Sequence, residues 1–370
     1  MRLLVATHSF RREGAALILC ELIAHLRERQ RWAVDVLHPG DGPLAQPLRA
    51  LGVRFVERAA RADYDVALVN SIVGHAMVGQ LARALPVVLW VHEGRSYVAN
   101  TDATPRALAA AFAAARAIVV QCAWQASRVF ASFLSDADLR RVHVVPCGVR
   151  DLTAHARGSP VSPAHTTPAS PAHGPIARRE HGARVAFVGS VHPRKRVADL
   201  ARAIARLDDV DLECVAIGAT DRLDHFGAAD RAAMTAHPDR FRLLGAVEDE
   251  DLPAWLASSD FFCHPSGDET QAMATLEAAH FGLPAAISRL PAYEGIWTDG
   301  TDCLMHAPGD VEHLARNLRA LALDAPLRAA LGHAAREVAR RYPMDAFLAR
   351  MAAILEQAGA RPVTGAGAAP

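Results

Sequence analysis

The stretch with the densest potential for chemistry runs His264-Pro265-Ser266-Gly267-Asp268-Glu269-Thr270-Gln271-Ala272-Met273-Ala274-Thr275-Leu276-Glu277-Ala278-Ala279-His280-Phe281-Gly282-Leu283-Pro284. It opens at the end of an apolar run, passes a polar turn and enters a helix near Ala272, which Gly282 can cap before Pro284 begins a strand. Free backbone N–H groups at such a helix start, with the helix dipole behind them, make an anion site suited to a diphosphate. The backbone of Gln271, Ala272 and Met273 would form its edge. Glu269 stands beside it, and Glu277, further along the helix, can accept hydrogen bonds from a ribose diol. The plainer alternative is a pair of solvated glutamates, with Glu269 only complementing the helix N-terminus. Spacing alone does not choose between them, because two glutamates so separated recur by chance.

A second cluster, Val185-Ala186-Phe187-Val188-Gly189-Ser190-Val191-His192-Pro193-Arg194-Lys195-Arg196, leads into a helical pattern from Val197 to Leu207. Three cations at a helix N-terminus have the wrong sign for the macrodipole, at a cost of roughly 0.3 kcal/mol or more each, unless an anion is bound there. Gly189 and Ser190 end the strand, and the anion would be met by Lys195 together with Arg194 or Arg196. A solvated basic helix face is the alternative. In the first half, Thr7-His8-Ser9-Phe10-Arg11-Arg12-Glu13-Gly14-Ala15-Ala16 joins a strand to a helix, and Gly14 permits close approach of backbone to a ligand. His92 ends the run Val87-Val88-Leu89-Trp90-Val91 and is expected to project from the strand end, although a lone histidine there is more often structural. Neither G-x-G-x-x-G nor G-x-x-x-x-G-K-[ST] occurs, which argues against a dinucleotide oxidoreductase and a P-loop NTPase.

These residues need strands to carry them, and the pattern supplies strands. Short runs of Val, Ile and Leu alternate with longer helical segments, as in parallel sheets covered by helices. Strands are expected at Leu3 to Thr7, Val34 to Leu37, Val53 to Val56, Val66 to Asn70, Val87 to His92, Ala117 to Val120 and Val142 to Val145. A second set falls at Val185 to Val188, Leu212 to Ile217, Phe241 to Leu244, Phe261 to His264, Pro284 to Ile287 and Cys303 to Met305. With 370 residues, 51% of them hydrophobic, two domains are expected. They are 1–150 and 184–342, joined by a Pro-, Ser-, Ala- and His-rich linker over 151–183. His155, His165 and His173 in that linker read as solvated, not as a metal site. A helix over 343–358 follows Pro343, and a Gly- and Ala-rich tail over 359–370 is expected to be disordered. The class is α/β, two Rossmann-like domains facing each other across a crevice, with ligands at the carboxyl ends of the strands.

Forty Lys and Arg balance forty Asp and Glu, so no overall field draws the chain to nucleic acid. The six cysteines are scattered and read as buried thiols in a reducing compartment. With neither a signal peptide nor a membrane span in the pattern, the expected location is cytoplasmic. Arg11, Arg12 and the apolar helix from Leu108 to Ala117 leave open a peripheral membrane contact, though helix packing explains the latter equally well.

The glutamate pair between a strand-Pro-Ser turn and Glu-Ala-x-x-x-Gly-x-Pro resembles the signature of the retaining glycosyltransferases with two Rossmann-like domains, family 4 or group 1. The resemblance covers most of the chain outside the linker and tail. It implies a GT-B fold, a nucleoside-diphosphate sugar (UDP-, GDP- or ADP-sugar) as substrate, and a glycan, lipid-linked or small-molecule acceptor. Glu277 would then grip the donor ribose, Glu269 face the transferred sugar and Lys195 neutralise the leaving diphosphate. Gly14 would touch the donor phosphates and His92 help place the sugar. Neither a cofactor nor a metal is implied. Many members carry Phe-Gly where this chain has Gln271-Ala272, and an Arg where it has Ser190. A sugar-nucleotide epimerase of similar architecture, or a non-catalytic nucleotide-sugar-binding scaffold, are the alternatives.

Overall fold

The computed structural model describes residues 1–38, 42–58, 63–154, 178–248 and 250–360. The chain divides into two compact units, one made of Met1–Cys147 and the chain from Asp345 onward, the other of Gly148–Met344.

In the first unit β1 (Arg2–Thr7), β2 (Ala33–Leu37), β3 (Arg54–Val56), β4 (Val66–Asn70), β5 (Val87–Val91), β6 (Ala117–Val120) and β7 (Val142–Val144) form one sheet in the order β3-β2-β1-β4-β5-β6-β7. All pairs are parallel, with Leu3 opposite Val66 and Leu68 opposite Val88. Every residue of β4 and β5 is buried, which is why these runs are apolar throughout instead of alternating. Helix α1 (Gly14–Glu28) and helix α2 (Pro105–Ala114) cover the sheet. Leu108, Ala111 and Phe112 of α2 lie in the core with Phe130, so the apolar face once open to a membrane contact is a packing face. Gly14 is the first residue of α1 and not part of the preceding loop. Among the described residues no helix is long and apolar enough to cross a membrane.

In the second unit β8 (Ala183–Val188), β9 (Leu212–Ile217), β10 (Phe241–Gly245), β11 (Phe261–His264), β12 (Ala285–Ser288) and β13 (Cys303–His306) form a parallel sheet in the order β10-β9-β8-β11-β12-β13. Helices α3 (Val197–Ala205), α4 (Met273–His280), α5 (Val311–Leu323) and α6 (Ala325–Arg340) pack on it. All thirteen runs picked out by composition are strands, with ends moved by a residue or two, as where β5 stops before His92 and β12 starts after Pro284. Proline donates no hydrogen bond to a ladder, which accounts for the second.

The linker expectation needs correction at its flanks. Val149 bonds the Tyr342 carbonyl, Arg150 pairs with Glu277, Arg178 with Asp260 and Arg179 with Asp211, all within the second unit. The chain thus enters that unit at Gly148 and both flanks of the segment are fastened to it; 155–177, with His155, His165 and His173, and 361–370 lie outside the described residues. Helix α7 (Met344–Gly359) belongs to the first unit, where Phe347 packs against Trp90 at 5.7 Å between ring centroids. All six cysteines are free; Cys20 and Cys122 are partly exposed and the other four buried.

Helices α4 and α6 approach so closely that a Cβ on Gly332 would lie 2.1 Å from the Gly282 carbonyl oxygen. Helix propensity alone predicts that Gly332→Ala stabilises by about 1 kcal/mol. The contact reverses that sign, and the variant is expected to unfold at lower urea concentration than wild type; a rise in the midpoint would contradict the packing described.

Candidate functional site

The strand order of the second sheet reverses between β8 and β11, and the carboxyl ends of the strands at such a switch point are the usual ligand position in such sheets. Gly189, at φ 151°, ends β8, and Ser190 follows it, partly exposed. A Cβ on neighbouring Gly218 would stand 2.0 Å from the Gly189 carbonyl oxygen, so the two strand ends meet only because that side chain is missing. A single 3₁₀ turn, Pro193–Lys195, comes next, and then Arg196 in the left-handed region at φ 54° opens α3.

This turn delivers two cations to one carboxylate. Lys195 Nζ donates to Glu269 Oε1 at 2.6 Å and Arg194 at 3.0 Å, and the Ser266 hydroxyl donates to the same oxygen at 2.7 Å. Arg194 also donates to the Asp268 carbonyl, and the Gly267 amide to the Arg194 carbonyl at 2.8 Å, tying the β8 and β11 loops together. The Glu269 side chain is only 9% exposed, so it is neither solvated nor merely a complement to the helix dipole. Burial opposes its ionisation, but Lys195 and Arg194 outweigh burial and hold the carboxyl far below the usual range. Burial draws Lys195 down in spite of Glu269. Each of the three cations of this turn also has a carboxylate within the chain, Arg194 and Lys195 sharing Glu269 and Arg196 pairing with Asp199 at 2.6 Å. Lys195, with its side chain only 14% exposed, requires a partner from the chain.

Helix α4 starts beside this pair. Ala272 sits at φ 56° and ψ 63° and can offer no side-chain cap, which leaves the first N–H groups of the helix available to an anion. Gln271 and Ala272 are buried and Met273 partly so; the Thr275 hydroxyl is buried with no hydrogen-bond partner among the described residues. Glu277 does not join the Lys195 cluster. Its Oε1 accepts from Arg150 Nε at 3.3 Å, on side chains 14% and 30% exposed.

In the first unit His92 does not project freely. Its Nε2 lies 2.7 Å from Asn70 Oδ1 and its Nδ1 2.8 Å from Gln121 Nε2, an arrangement met by Nε2–H donating to Asn70 and Nδ1 accepting from Gln121. Burial pushes its pKa down to about 3. Gln125 braces the surrounding loops by donating to the Val91 and Glu93 carbonyls and accepting from the Gln121 and Cys122 amides. Glu93 accepts from the Ser71 hydroxyl and from the Ile72 and His92 amides, with Ser71 held at φ 91°. The structure therefore gathers Arg194, Lys195 and Glu269 beside the start of α4, places Glu277 with Arg150, and keeps Gly14 and His92 in the first unit. Sequence reasoning missed Ser266, His264 and Arg150, and Asn70 and Gln121 too. The usable signal was a polar residue closing an otherwise apolar strand, as in Val66–Asn70 and Phe261–His264.

Residues 182–324 match the family described as glycosyl transferases group 1. The D-inositol 3-phosphate glycosyltransferase of Salinispora arenicola is 31% identical over 221 residues, 57% of this chain and 48% of that protein. The MMP alpha-(1->4)-mannosyltransferase of Mycolicibacterium hassiacum is 30% identical over 184 residues, 48% of this chain and 43% of that protein. The chain thus spans about half the length of the curated relatives it matches. Among solved structures, Anabaena Alr3699/HepE in complex with UDP and glucose superposes with a TM-score of 0.75 at 16% identity, covering 96% of this chain and 100% of that one. The apo lipopolysaccharide outer core galactosyltransferase WaaB gives 0.65 at 13% identity, covering 96% and 99%. The architecture of two Rossmann-like domains is the one shared with these proteins.

Two outcomes test the geometry. Ala272→Gly removes a left-handed alanine and is expected to stabilise by about 1 kcal/mol, read from urea unfolding. His92 and His264 titrate near 3 in the folded chain against 6.5 ordinarily, both through burial, so the unfolded state takes up more protons between those values. Their contribution is complete above pH 6.5 and is lost as pH falls toward 3, about 2 kcal/mol for each by pH 5. In proton NMR their ring signals should not move between pH 5 and 8; titration in that range would contradict the burial.

Proposed function

We propose, since residues 182–324 match the group 1 glycosyl transferases, that this chain transfers a sugar from a nucleoside-diphosphate sugar to an acceptor hydroxyl with retention of configuration. The observation that carries the reading is the convergence of Lys195, Arg194 and the uncapped start of α4 around Glu269. Breaking the bond from the anomeric carbon to the diphosphate oxygen leaves charge on the diphosphate, and groups that stabilise it more in the transition state than before accelerate the step. Lys195, Arg194 and the N–H groups of α4 do so in this reading, in the role a divalent metal fills elsewhere. The Ser266 hydroxyl and both cations occupy Oε1 of Glu269, which leaves Oε2 to accept from a hydroxyl of the transferred sugar. Glu277 accepts from the ribose diol. The acceptor oxygen bonds to the anomeric carbon on the face the diphosphate leaves, and its proton passes to a diphosphate oxygen. His92 is no base here, being neutral with both nitrogens engaged.

The acceptor class is a glycan, a lipid-linked sugar or a small polyhydroxylated molecule, and the pathway one that builds polysaccharide or glycoconjugate. UDP and UDP-glucose, present in complexes of the Anabaena protein, are the first probes, with GDP and ADP and their sugars beside them. A bound nucleotide at a hundred times its Kd should stabilise the chain by about 2.7 kcal/mol in thermal unfolding. Glu277→Ala and Lys195→Ala should lose that stabilisation and reduce nucleoside diphosphate release at least about a hundredfold while the free variants still fold. Release at the wild-type rate in either variant would remove its assigned role. Isomerised donor without release would identify an epimerase instead.

A further inference from the structure

His264 closes β11, is fully buried, and lies against Phe187, with ring centroids 6.0 Å apart and planes inclined by 30°. Its Nε2 is 3.3 Å from Lys195 Nζ and its Nδ1 3.4 Å from the Tyr293 hydroxyl. Tyr293 is itself 1% exposed. An imidazole beside an ammonium in a dry site stays neutral, and a neutral ring has one lone pair to offer. Lysine has no acceptor, so the lone pair must be on Nε2, and Nδ1–H then donates to the tyrosine oxygen. Lys195 thus has one N–H on His264 and a second on Glu269. Among the described residues its third N–H has no partner.

We propose that His264 is a positioning residue for Lys195: its Nε2 lone pair and Glu269 take two of the three ammonium N–H groups and so aim the third at the diphosphate of the donor. The inference rests on the reading of Lys195 as a diphosphate ligand and goes beyond it in assigning how the ammonium is oriented. A lysine side chain has four rotatable bonds and would otherwise spend binding free energy on being ordered. The ring is held from three sides, by Phe187, Tyr293 and the strand, so its lone pair is a fixed acceptor. Glu269, Arg194 and Asp268 are the charged groups that also face Lys195.

Two polar replacements separate orientation from simple packing. His264→Gln carries an amide oxygen to the place of Nε2, whereas His264→Asn reaches only the place of Nδ1. Binding is measured by calorimetry from pH 7 to 10 with whichever of UDP, GDP and ADP stabilises the wild type. The Gln variant is expected to bind within about threefold of wild type and the Asn variant about tenfold or more weaker. The Asn variant should also lose affinity at lower alkaline pH, because an ammonium deprived of an acceptor gives up its proton more readily. If both variants bind like wild type, or both weaken alike, the ring does not orient Lys195 and the proposal fails. Lys195→Ala binding as tightly as wild type, or no nucleotide stabilising the wild type, would overturn the underlying reading and the proposal with it. Loss in Lys195→Ala without loss in His264→Asn would overturn the proposal alone.

Discussion

A carboxylate withdrawn from water must be met by charge and by hydrogen-bond donors, or it will not remain ionised, and Glu269 imposes that requirement on the second unit. Removing a carboxylate and an ammonium from water costs several kcal/mol per ion, and their attraction repays this only where geometry is good and the remaining lone pairs are satisfied. Here the debt is met by Lys195, Arg194 and Ser266 converging on Oε1, at 2.6, 3.0 and 2.7 Å. Arg194 and Lys195 come from the loop after β8, and Ser266 and Glu269 from the loop after β11. The pair therefore dictates that the loop after β8 and the loop after β11 lie side by side, and the bond from the Gly267 amide to the Arg194 carbonyl is the backbone consequence. A hydrophobic pair of the same volume would hold the loops together as well, so stability alone does not account for the charges.

The first unit closes its strand ends by other means. Asn70, His92 and Gln121 stand at the ends of β4, β5 and β6 and satisfy one another without net charge, His92 between the two amides at 2.7 and 2.8 Å. The carboxylate nearby, Glu93, is spent on the Ser71 hydroxyl and two amides, and so stabilises a backbone turn at Ser71 that a side chain rarely adopts. One sheet type thus carries two kinds of polar ending. The second unit presents cations held by a carboxylate; the first presents a neutral network whose histidine cannot exchange protons near neutrality.

The fold was legible because both sheets are parallel and their central strands are buried on both faces, which makes each of those strands a short apolar run. Periodicity then locates strands without knowledge of their partners, and β4 and β5 show the pattern at full strength. The strand order, which puts β8 beside β11 and so creates the site, has no such local trace. In the site, Glu269, Lys195 and Arg194 were readable from their charge and neighbourhood, but their mutual pairing was not, since it joins residues about seventy positions apart. His264 and Arg150 were unreadable for a related reason: one looks like the end of a buried strand, the other like an exposed arginine after a turn, and only the fold brings Lys195 and Glu277 to them. The anchoring of the linker's flanks to the second unit was not legible, because it depends on Arg150, Arg178 and Arg179 finding distant carboxylates.

The departures Gln271-Ala272 and Ser190 become intelligible in the same terms. Position 272 needs a left-handed residue to turn the chain from the Glu269 loop into α4, and glycine would adopt that conformation without strain. Alanine there costs on the order of 1 kcal/mol, and Arg196, also left-handed, imposes a similar cost at the start of α3. Both helices that border the cluster thus begin from a strained residue, one on each side of the Lys195–Glu269 pair. Strain of this kind persists only where the surroundings determine the conformation more strongly than the residue resists it. The ion pair and the Gly267–Arg194 bond supply that determination, since a relaxed backbone at either residue would pull a loop away from its partner charge. Ser190 is tolerated for a complementary reason. With Arg194 already on Glu269 and Arg196 on Asp199, the basic groups of the cluster come from the turn after the strand and not from position 190.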